Sequence, residues 1–460
     1  MERAPREVDE RTDGRAALRE AHAAFGTDAL SFLAFESGMR IWAAPGEPSA
    51  CVAYVDSGSA WVAVASPLAR EEAKSQVAER FVAAAKERRR RASFFAATFE
   101  GDSFTRLLIG ERPMFQPAEW LRQSSRHARF REQLRRARAK STRVRAVDPA
   151  ELAEGSPLRL AVDRLAGEWL ASRRIEPMAF LVAFEPYHEP ERHRYFVAER
   201  DGRLVGFLSA VPFRQGRAWL VEDAPRSRTA PNGTTELMID ALMRAVADAD
   251  WVTLGLCPLS GAVAWPLRAA RRLARPLFDF SGLRRFRQRM RPQLWEPVYL
   301  VIPRHESVIA HVIGVLRAFA GGSLLRFAAR SLALRPSGLP WAFAVSLVPW
   351  TVAIACMAAV GATESLGFSR IALALFAAFD GCVAFLLFRA AMAPTAARLV
   401  GCAAFASCDA LLSAAHLATV GVGRTPGSAL LRIVATIAPA LASVTLAVTA
   451  FAENERRSSA

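Results

Sequence analysis

The stretch AWLVEDAPRSRTAPNGTTELMIDALMRAVADADWVTLGLC, residues 218–257, decides the fold. It opens with strand-like residues, and the turn Pro231-Asn232-Gly233 separates them from a run with helical periodicity. Thr234 or Thr235 is predicted to cap this helix, and WVTLGLC reads as a further strand. A strand, a helix and a strand in this order predict an α/β fold.

The start of the predicted helix is also the first candidate site. Its unpaired N–H groups and partial positive charge favour an anion or a developing oxyanion at the end of the preceding strand. Asp223 and Arg226 flank this position. The alternative is a simple ion pair between Asp223 and Arg226 that ties the loop.

Similar patterns occur earlier in the chain. SFLAFES, CVAYVDSG and WVAVASP (within residues 31–67) are predicted strands, EEAKSQVAERFVAAAKERRRR (71–91) a helix and ASFFAATFE a strand. A second series follows, with a helix near 159–172, the strands YFVAERDG and LVGFLSAVPF, and then the opening stretch. We therefore predict two similar units in tandem, a duplicated acyltransferase-like (GNAT-type) fold, over residues 1–145 and 146–303.

The loop before the helix argues against a conventional coenzyme A site. Such a pyrophosphate loop usually has the form Arg/Gln-x-x-Gly-x-Gly/Ala, whereas this chain has RSRTAPNG with a single glycine. No cofactor is predicted. The cysteine spacing is not that of a metal site, and no metal is predicted either.

Positive charge indicates the partners. The chain has 460 residues and a formal net charge of +16 at pH 7, which predicts phosphates on nucleic acid, on anionic lipid or on both. The connecting segment RHARFREQLRRARAKSTRVR (126–145) has a narrow apolar stripe, with arginine over nearly everything else. It is either a solvated helix face or a phosphate-binding surface, and its few acids favour phosphate binding.

The last third of the chain predicts a membrane region, residues 336–460. Four apolar segments, at 339–360, 371–388, 399–420 and 433–452, are about as long as a bilayer span requires. The flanking arginines favour cytoplasmic termini, and the charged N-terminus does not resemble a signal peptide. Residues 304–335 form an apolar segment with spaced arginines, expected along the membrane surface. Asp380 and Asp409 lie within the predicted spans, where an ionisable group is usually functional. The alternative, which we favour, is a pair of inward-facing polar residues, one of them paired with His416, that hold the helices together.

The cysteines and two of the histidines are interpreted as residues without a catalytic or metal-binding role. Cys356, Cys382, Cys402 and Cys408 lie in apolar runs and are expected to be small buried residues outside any disulfide framework. His193 and His127 have no nearby serine or cysteine arrangement, so we expect surface residues there.

Several stretches together resemble the C-terminal synthase domain of bacterial phosphatidylglycerol lysyltransferases. They are FGTDALSFLAFESGMRIWA (25–43), LLIGERPMFQPAEW (107–120), GEWLASRRIEPMAF (167–180), DAPRSRTAPNGTTELMIDAL (223–242), WVTLGLCPLSG (251–261) and FDFSGLRRFRQRMRPQLWEPVYLVIP (278–303). The resemblance covers roughly residues 20–303. It implies tandem GNAT-type folds that move an amino acid from aminoacyl-tRNA to a lipid hydroxyl.

The resemblance also assigns roles to residues. Asp223, Arg226 and Glu176 match positions of the family's catalytic site, and the substrate-binding residues correspond to Arg287, Arg289, Asn232, Gly233 and Thr234. Arg287 and Arg289 stand where lysine is more common in the family. Arg226 and Arg287 would hold phosphate, while Asp223 would orient the lipid hydroxyl or hold the ammonium of the aminoacyl group. The basic segment would bind tRNA through five arginines, Arg129, Arg131, Arg135, Arg136 and Arg138.

These features predict a multi-pass protein of the bacterial inner membrane with a cytoplasmic catalytic domain. Its partners would be aminoacyl-tRNA and anionic phospholipid. The family's many-span domain precedes its synthase domain, whereas the apolar segments follow it here. Two alternatives are aminoacyl transfer to a peptidoglycan precursor or another acceptor, and a membrane-tethered RNA- or lipid-binding protein without catalysis.

Overall fold

A computed structural model describes residues 13–47, 49–126, 128–172, 180, 184–273, 280–324, 326–327, 338–360, 370–392 and 396–420, with 439, 442–444 and 446–447. The chain is divided into two compact units, and the main boundary between them falls after residue 324. The first unit holds the β-sheet, and the described residues of the second form three long helices.

The strands and helices are numbered in chain order. The strands are β1 Arg40–Ala43, β2 Cys51–Asp56, β3 Ala60–Val64, β4 Arg91–Ala97, β5 Phe104–Phe115, β6 Thr142–Val147, β7 Arg194–Arg200, β8 Arg203–Phe213, β9 Ala218–Asp223, β10 Trp251–Thr253, β11 Cys257–Pro258 and β12 Leu294–Pro303. The helices are α1 Asp13–Phe25, α2 Lys74–Glu87, α3 Pro117–Arg126, α4 Ala128–Ala139, α5 Pro157–Ala171, α6 Thr234–Ala245, α7 Trp265–Leu273, α8 Phe280–Arg289, α9 Val308–Phe319, α10 Gly338–Val360, α11 Arg370–Met392 and α12 Ala396–Val420.

The described strands form one mixed sheet, in the order β1-β2-β3-β4-β12-β5-β10-β9-β8-β7-β6, with β11 paired to β5. Two neighbouring pairs in it are parallel, β3 with β4 and β9 with β10. Parallel neighbours need a crossover connection, and α2 and α6 supply the two crossovers. Each crossover follows a pair of antiparallel strands.

The two halves of the sheet exchange their last strands. β12, from the end of the sheet region, lies between β4 and β5 and is antiparallel to both. β5 in turn pairs with β10. β12 of the second half therefore lies beside β4 of the first half, and β5 of the first half lies beside β10 of the second. Through this exchange the sheet is continuous from one half to the other.

Amphipathic helices cover the sheet. On α2, Val77, Phe81 and Ala85 recur at helical spacing and are buried against the sheet, in one core with Trp61 and Phe94. Met238, Ile239, Leu242 and Met243 of α6 are buried in the same way in a second core with residues of β7–β10.

The prediction of a strand at SFLAFES was wrong, because residues Ser31–Phe35 form a 3₁₀ helix. A short continuous apolar run does not distinguish a buried strand from a buried helical turn. Here the amides of Ser31 and Leu33 bond to carbonyls three residues earlier, and the whole turn is buried. The carboxylate of Asp28 supports it by accepting from the Ser66 amide (2.7 Å) and the Thr98 hydroxyl (2.6 Å).

α9, which lies within the segment predicted from residue 304 onward, is amphipathic. His311, Val315 and Ala318 are buried, and the helix packs against β3 and β4. Ile309, Ile313 and Leu316 point to the other side and are 73%, 44% and 49% exposed.

The helices α10, α11 and α12 of the second unit overlap three of the four predicted spans. Among the described residues, the part Ala374–Met392 of α11 is long and apolar enough to cross a membrane, judged by length and composition. The fourth predicted span, 433–452, lies largely outside the described residues. Asp380 and Asp409 are buried within the unit. The burial predicted for the cysteines was wrong for Cys356, Cys382 and Cys408, which are exposed, and correct for Cys402.

Candidate active site

The site is at the point where the parallel strands β9 and β10 separate. Their pairing ends at Leu220 and Thr253, but β9 continues to Asp223. Beyond Asp223 the chain still follows β8, since the Phe207 amide donates to the Pro225 carbonyl (3.0 Å). The last residues of β9 therefore have a neighbour in β8 and none in β10, which leaves their second side open to other groups.

Asp223, Arg226 and Arg289 have different surroundings. Asp223 is partly buried at the end of β9, whereas Arg226, three residues later, is exposed. Arg289, the last residue of α8, is exposed as well. Both arginines are thus accessible to an anion from solvent.

The turn before α6 is fixed by packing. Gly233 stands at the N-cap with φ 96°, and a Cβ there would lie 2.5 Å from the Gln133 carbonyl oxygen of α4. The predicted threonine cap was wrong, because the N-cap makes no side-chain hydrogen bond and the Thr234 hydroxyl donates to the Pro231 carbonyl (2.7 Å). Thr234 is buried and Asn232 exposed, so the structure leaves Asn232 as the accessible side chain of this turn.

Arg287 anchors α8 near the point where the pairing of β9 with β10 ends. Its Nη1 donates to the Gly255 carbonyl (2.7 Å) and to Cys257 Sγ (3.3 Å), and burial lowers its pKa. A Cβ on Gly255 would lie 3.6 Å from Leu220 Cδ1 and 3.9 Å from Arg287 Nη2. Arg287 therefore lies near Leu220, about 10 Å along β9 from Asp223.

Four carboxylates interact near the end of β9, and we call them the acidic cluster (Glu36, Glu185, Glu222 and Asp223). Glu36 is buried directly after the 3₁₀ helix. Burial, followed by the negative charges of Glu222, Glu185 and Asp223, raises the pKa of Glu36 to about 9. The Ser37 amide and hydroxyl both donate to Glu185, the amide at 2.9 Å. The negative charge of the acidic cluster favours the binding of a positively charged group.

Two histidines adjoin this cluster. His193 Nε2 lies 3.1 Å from Glu222 Oε2, and His188 Nε2 lies 3.8 Å from Glu222 Oε1. The Ser209 hydroxyl also donates to Glu222 Oε2 (3.3 Å). The prediction that His193 is a surface residue was wrong, since it is 1% exposed and stacks on Tyr195. Burial lowers the pKa of His188.

Arginines of α4 form a separate basic surface. Arg131, Arg135, Arg136 and Arg138 are exposed, while Leu134 and Ala137 pack against Leu237 of α6. Glu132 accepts from Arg135 and Arg136, each at 2.7 Å. The packing side of α4 explains the apolar stripe, and the arginines face solvent.

Three predicted residues lie outside what the structure describes. Glu176 and His127 are not among the described residues, and the side chain of Arg129 is not described. The site residues that the sequence did not single out are Glu36, Glu185, His188 and the pair His193–Glu222. The available signals were the acid pair at 222–223 and the two histidines of YHEPERH (187–193).

Two solved structures share this mixed α/β fold. One is the C-terminal domain of a putative lysylphosphatidylglycerol synthetase from Agrobacterium fabrum, with 19% identity and a TM-score of 0.55, over 68% of this chain and 99% of that one. The other is L-PGS from Bacillus licheniformis, with 20% identity and a TM-score of 0.57, over 68% of this chain and 98% of that one. No curated protein sequence matches the chain.

The fold is thus that of the lysylphosphatidylglycerol synthetase C-terminal domain. The sequence comparison is more specific, because the family model described as phosphatidylglycerol lysyltransferase, C-terminal, matches residues 19–302, which is more than half of the chain. This chain belongs to that family. The match covers β1–β11 and nearly all of β12, and so includes the end of β9 and the acidic cluster.

Proposed function

We propose that this protein transfers an amino acid from aminoacyl-tRNA to a hydroxyl of an anionic membrane lipid, phosphatidylglycerol or a related one. The observation that carries the proposal is the acidic cluster at the open end of β9 in a chain of the lysyltransferase family. An aminoacyl ester carries an ammonium group, which such a cluster attracts.

The reaction exchanges one ester for another. The lipid hydroxyl oxygen attacks the aminoacyl carbonyl carbon, the ester bond to the tRNA ribose breaks, and the proton of the hydroxyl ends on the ribose oxygen. An aminoacyl ester is already activated, so the protein contributes mainly by holding both reactants in place and by stabilising the oxyanion. In this scheme Asp223 orients the lipid hydroxyl or holds the ammonium group.

Exposed arginines supply the contacts to phosphate. Arg226 and Arg289 are accessible to a lipid headgroup, and the arginines of α4 are accessible to the tRNA acceptor stem. Arg287 acts differently in this proposal. Its bonds to Gly255 and Cys257 position α8, and with it the exposed Arg289 at the end of that helix.

The membrane helix suits a lipid acceptor. Ala374–Met392 would anchor the protein, and the exposed apolar face of α9 together with Arg317 would lie at the membrane surface. We propose the multi-pass arrangement with a cytoplasmic catalytic domain on the same grounds, because charged tRNA is available in the cytoplasm.

The test is expression of the full chain in a host that lacks aminoacylated lipids. Cells are fed radiolabelled amino acids and the lipid extract is resolved by thin-layer chromatography. We expect a new, ninhydrin-positive lipid that is lost in Asp223→Asn and kept in Asp248→Asn, a matched change of an exposed aspartate after α6.

The same experiment separates the acceptors. Label in the cell wall without label in the lipid would move the acceptor to a peptidoglycan precursor. A wild-type phenotype in Asp223→Asn, with no labelled product in either fraction, would indicate a binding protein and contradict the proposed catalysis.

A further inference from the structure

A second feature of the region is a set of three side chains of types that bind metal ions, two from the loop before β7 and one from β9. His188 lies in the loop before β7, His193 directly precedes β7, and Glu222 lies on β9. One ligand atom from each lies within 4.8 Å of the other two. The three side chains are 10%, 0% and 9% exposed, so they are held together in the interior of the unit.

The hydrogen bonds of His193 fix which of its nitrogens is free to bind a cation. Nδ1 lies 3.1 Å from the Glu189 carbonyl oxygen, which only accepts, so Nδ1 carries a hydrogen. Nε2 then faces Glu222 Oε2 at 3.1 Å. In neutral His193 this would bring a nitrogen lone pair against a carboxylate oxygen. Either a second proton or a metal ion must lie between them.

The other two side chains retain unused binding capacity. Oε1 of Glu222 is buried and makes no hydrogen bond with a described residue. The buried ring of His188 has a contact with the Glu185 backbone as its polar contact outside Glu222 and His193, which leaves a ring nitrogen for a ligand. Buried polar atoms usually have a partner, which for atoms that converge on one point is an ordered water or a bound ion. Only His188 and His193 form ion pairs with Glu222 among the described residues, and no described lysine or arginine does.

We propose that His188, His193 and Glu222 bind one divalent transition metal ion of the zinc class. Two imidazoles and a carboxylate are a ligand set that Zn²⁺ accepts, and three protein ligands leave a fourth tetrahedral position open. The bond from His193 Nδ1 to a backbone carbonyl is the outer interaction that orients metal-binding histidines.

The distances from Glu222 to the two histidines are close to those around such an ion, and the separation of the two histidine nitrogens is at most 4.8 Å. Ligands about 2.0–2.1 Å from a tetrahedral Zn²⁺ lie about 3.3 Å from one another. The His193–Glu222 distance of 3.1 Å already matches, and the His188–Glu222 distance of 3.8 Å must shorten by about half an ångström. The charge of the surrounding carboxylates also favours a dication.

The metal would join the loop before β7 to the end of β9. Glu222 immediately precedes Asp223, so coordination of Glu222 fixes the backbone that presents Asp223. This is a positioning role. The metal site does not depend on the identity of the lipid or of the amino acid that is transferred.

The experiment uses the full chain, purified in detergent without a polyhistidine tag. Metal content is measured by mass spectrometry, Zn²⁺ affinity by competition with a chromophoric chelator, and coordination by the visible spectrum of the Co²⁺ form. We expect about one equivalent of Zn²⁺. His188→Ala should weaken binding more than about 100-fold, since loss of an outer-shell partner alone typically costs 10–100-fold.

Two further variants keep the result interpretable. Glu222→Gln conserves the size of the side chain and should also lose the metal, whereas His305→Ala, an exposed histidine outside the cluster, should bind as the wild type does. Thermal unfolding of each variant shows whether it is folded. For the wild type, Zn²⁺ should raise the unfolding midpoint, and for His188→Ala it should not.

Two outcomes would overturn the proposal. One is wild-type protein that takes up no Zn²⁺ or Co²⁺ after treatment with chelator and dialysis against the metal. The other is folded His188→Ala that binds Zn²⁺ with wild-type affinity.

Discussion

Removal of the charge on Glu296 should destabilise the first unit, because this residue holds the exchanged strand β12 in place. Glu296 lies opposite Arg112 of β5 in the sheet register. Its Oε2 accepts from Arg112 Nε (2.6 Å), and its Oε1 accepts from Arg214 Nη2 (2.8 Å). Burial opposes ionisation of Glu296, but the two arginines outweigh it and lower its pKa.

The size of the effect follows from burial. Arg112 is 3% exposed, so Glu296→Gln leaves a buried guanidinium without its counter-charge. Breaking a buried pair in this way costs about 3–5 kcal/mol. The exposed pair Arg217–Asp250, with side chains 72% and 43% exposed, is the matched control. Asp250→Asn should cost less than about 1 kcal/mol.

The assay is equilibrium urea unfolding of the full chain in detergent, followed by tryptophan fluorescence. The double variant Arg112→Leu, Glu296→Leu should recover much of the lost stability, because replacement of a buried pair by apolar residues is often close to neutral. If Glu296→Gln unfolds at the same urea concentration as Asp250→Asn, the buried pair does not hold β12 and the reasoning is refuted.

Three further predictions concern the turn before α6, a buried histidine and the basic helix. Gly233→Ala combines a positive φ with a clash at the Gln133 carbonyl and should cost about 2–4 kcal/mol in the same urea assay, and an unchanged midpoint would contradict it. Burial, followed by the positive charge of Arg192, lowers the pKa of His22 to about 3 in the folded protein. Between pH 6.5 and 3 the unfolded chain therefore protonates this histidine and the folded chain does not, so the free energy of unfolding decreases as the pH falls. His22→Gln should flatten this pH dependence, whose slope is at most about 1.4 kcal/mol per pH unit, and an equal slope in both proteins would exclude His22 as its source. Arg131→Ala should lower the salt slope of tRNA binding by about 1, measured by filter binding, and an unchanged slope would place the phosphates elsewhere.

The local elements of the fold could be predicted from the sequence because their signals are local. Strand, turn and helix patterns in 218–257 correspond to β9, α6 and β10, and the pattern of 71–91 corresponds to α2 and its flanks. The strand prediction for SFLAFES failed because a run of four buried apolar residues carries no period that separates a strand from a 3₁₀ turn. The exchange of β5 and β12 depends on pairing between distant residues, which no local pattern encodes.

The candidate site was predicted in part for a similar reason. Asp223 and Arg226 are close in sequence to a recognisable turn, so they could be selected from the chain. Glu36 and His193 approach Glu222 only through the packing of separate segments. A lone histidine in a charged loop is usually a surface residue, and only the fold reveals that His193 is buried beside a carboxylate.

The proposed transfer reaction is tested most directly with purified components. The full chain in detergent is mixed with aminoacyl-tRNA that carries a radiolabelled amino acid and with vesicles containing phosphatidylglycerol, and label in the lipid phase is measured over time. We expect transfer that requires both the tRNA and the anionic lipid and is abolished by RNase and by Asp223→Asn. Folded, monodisperse protein that binds the vesicles yet transfers no label, over the full set of charged tRNAs, would contradict the account.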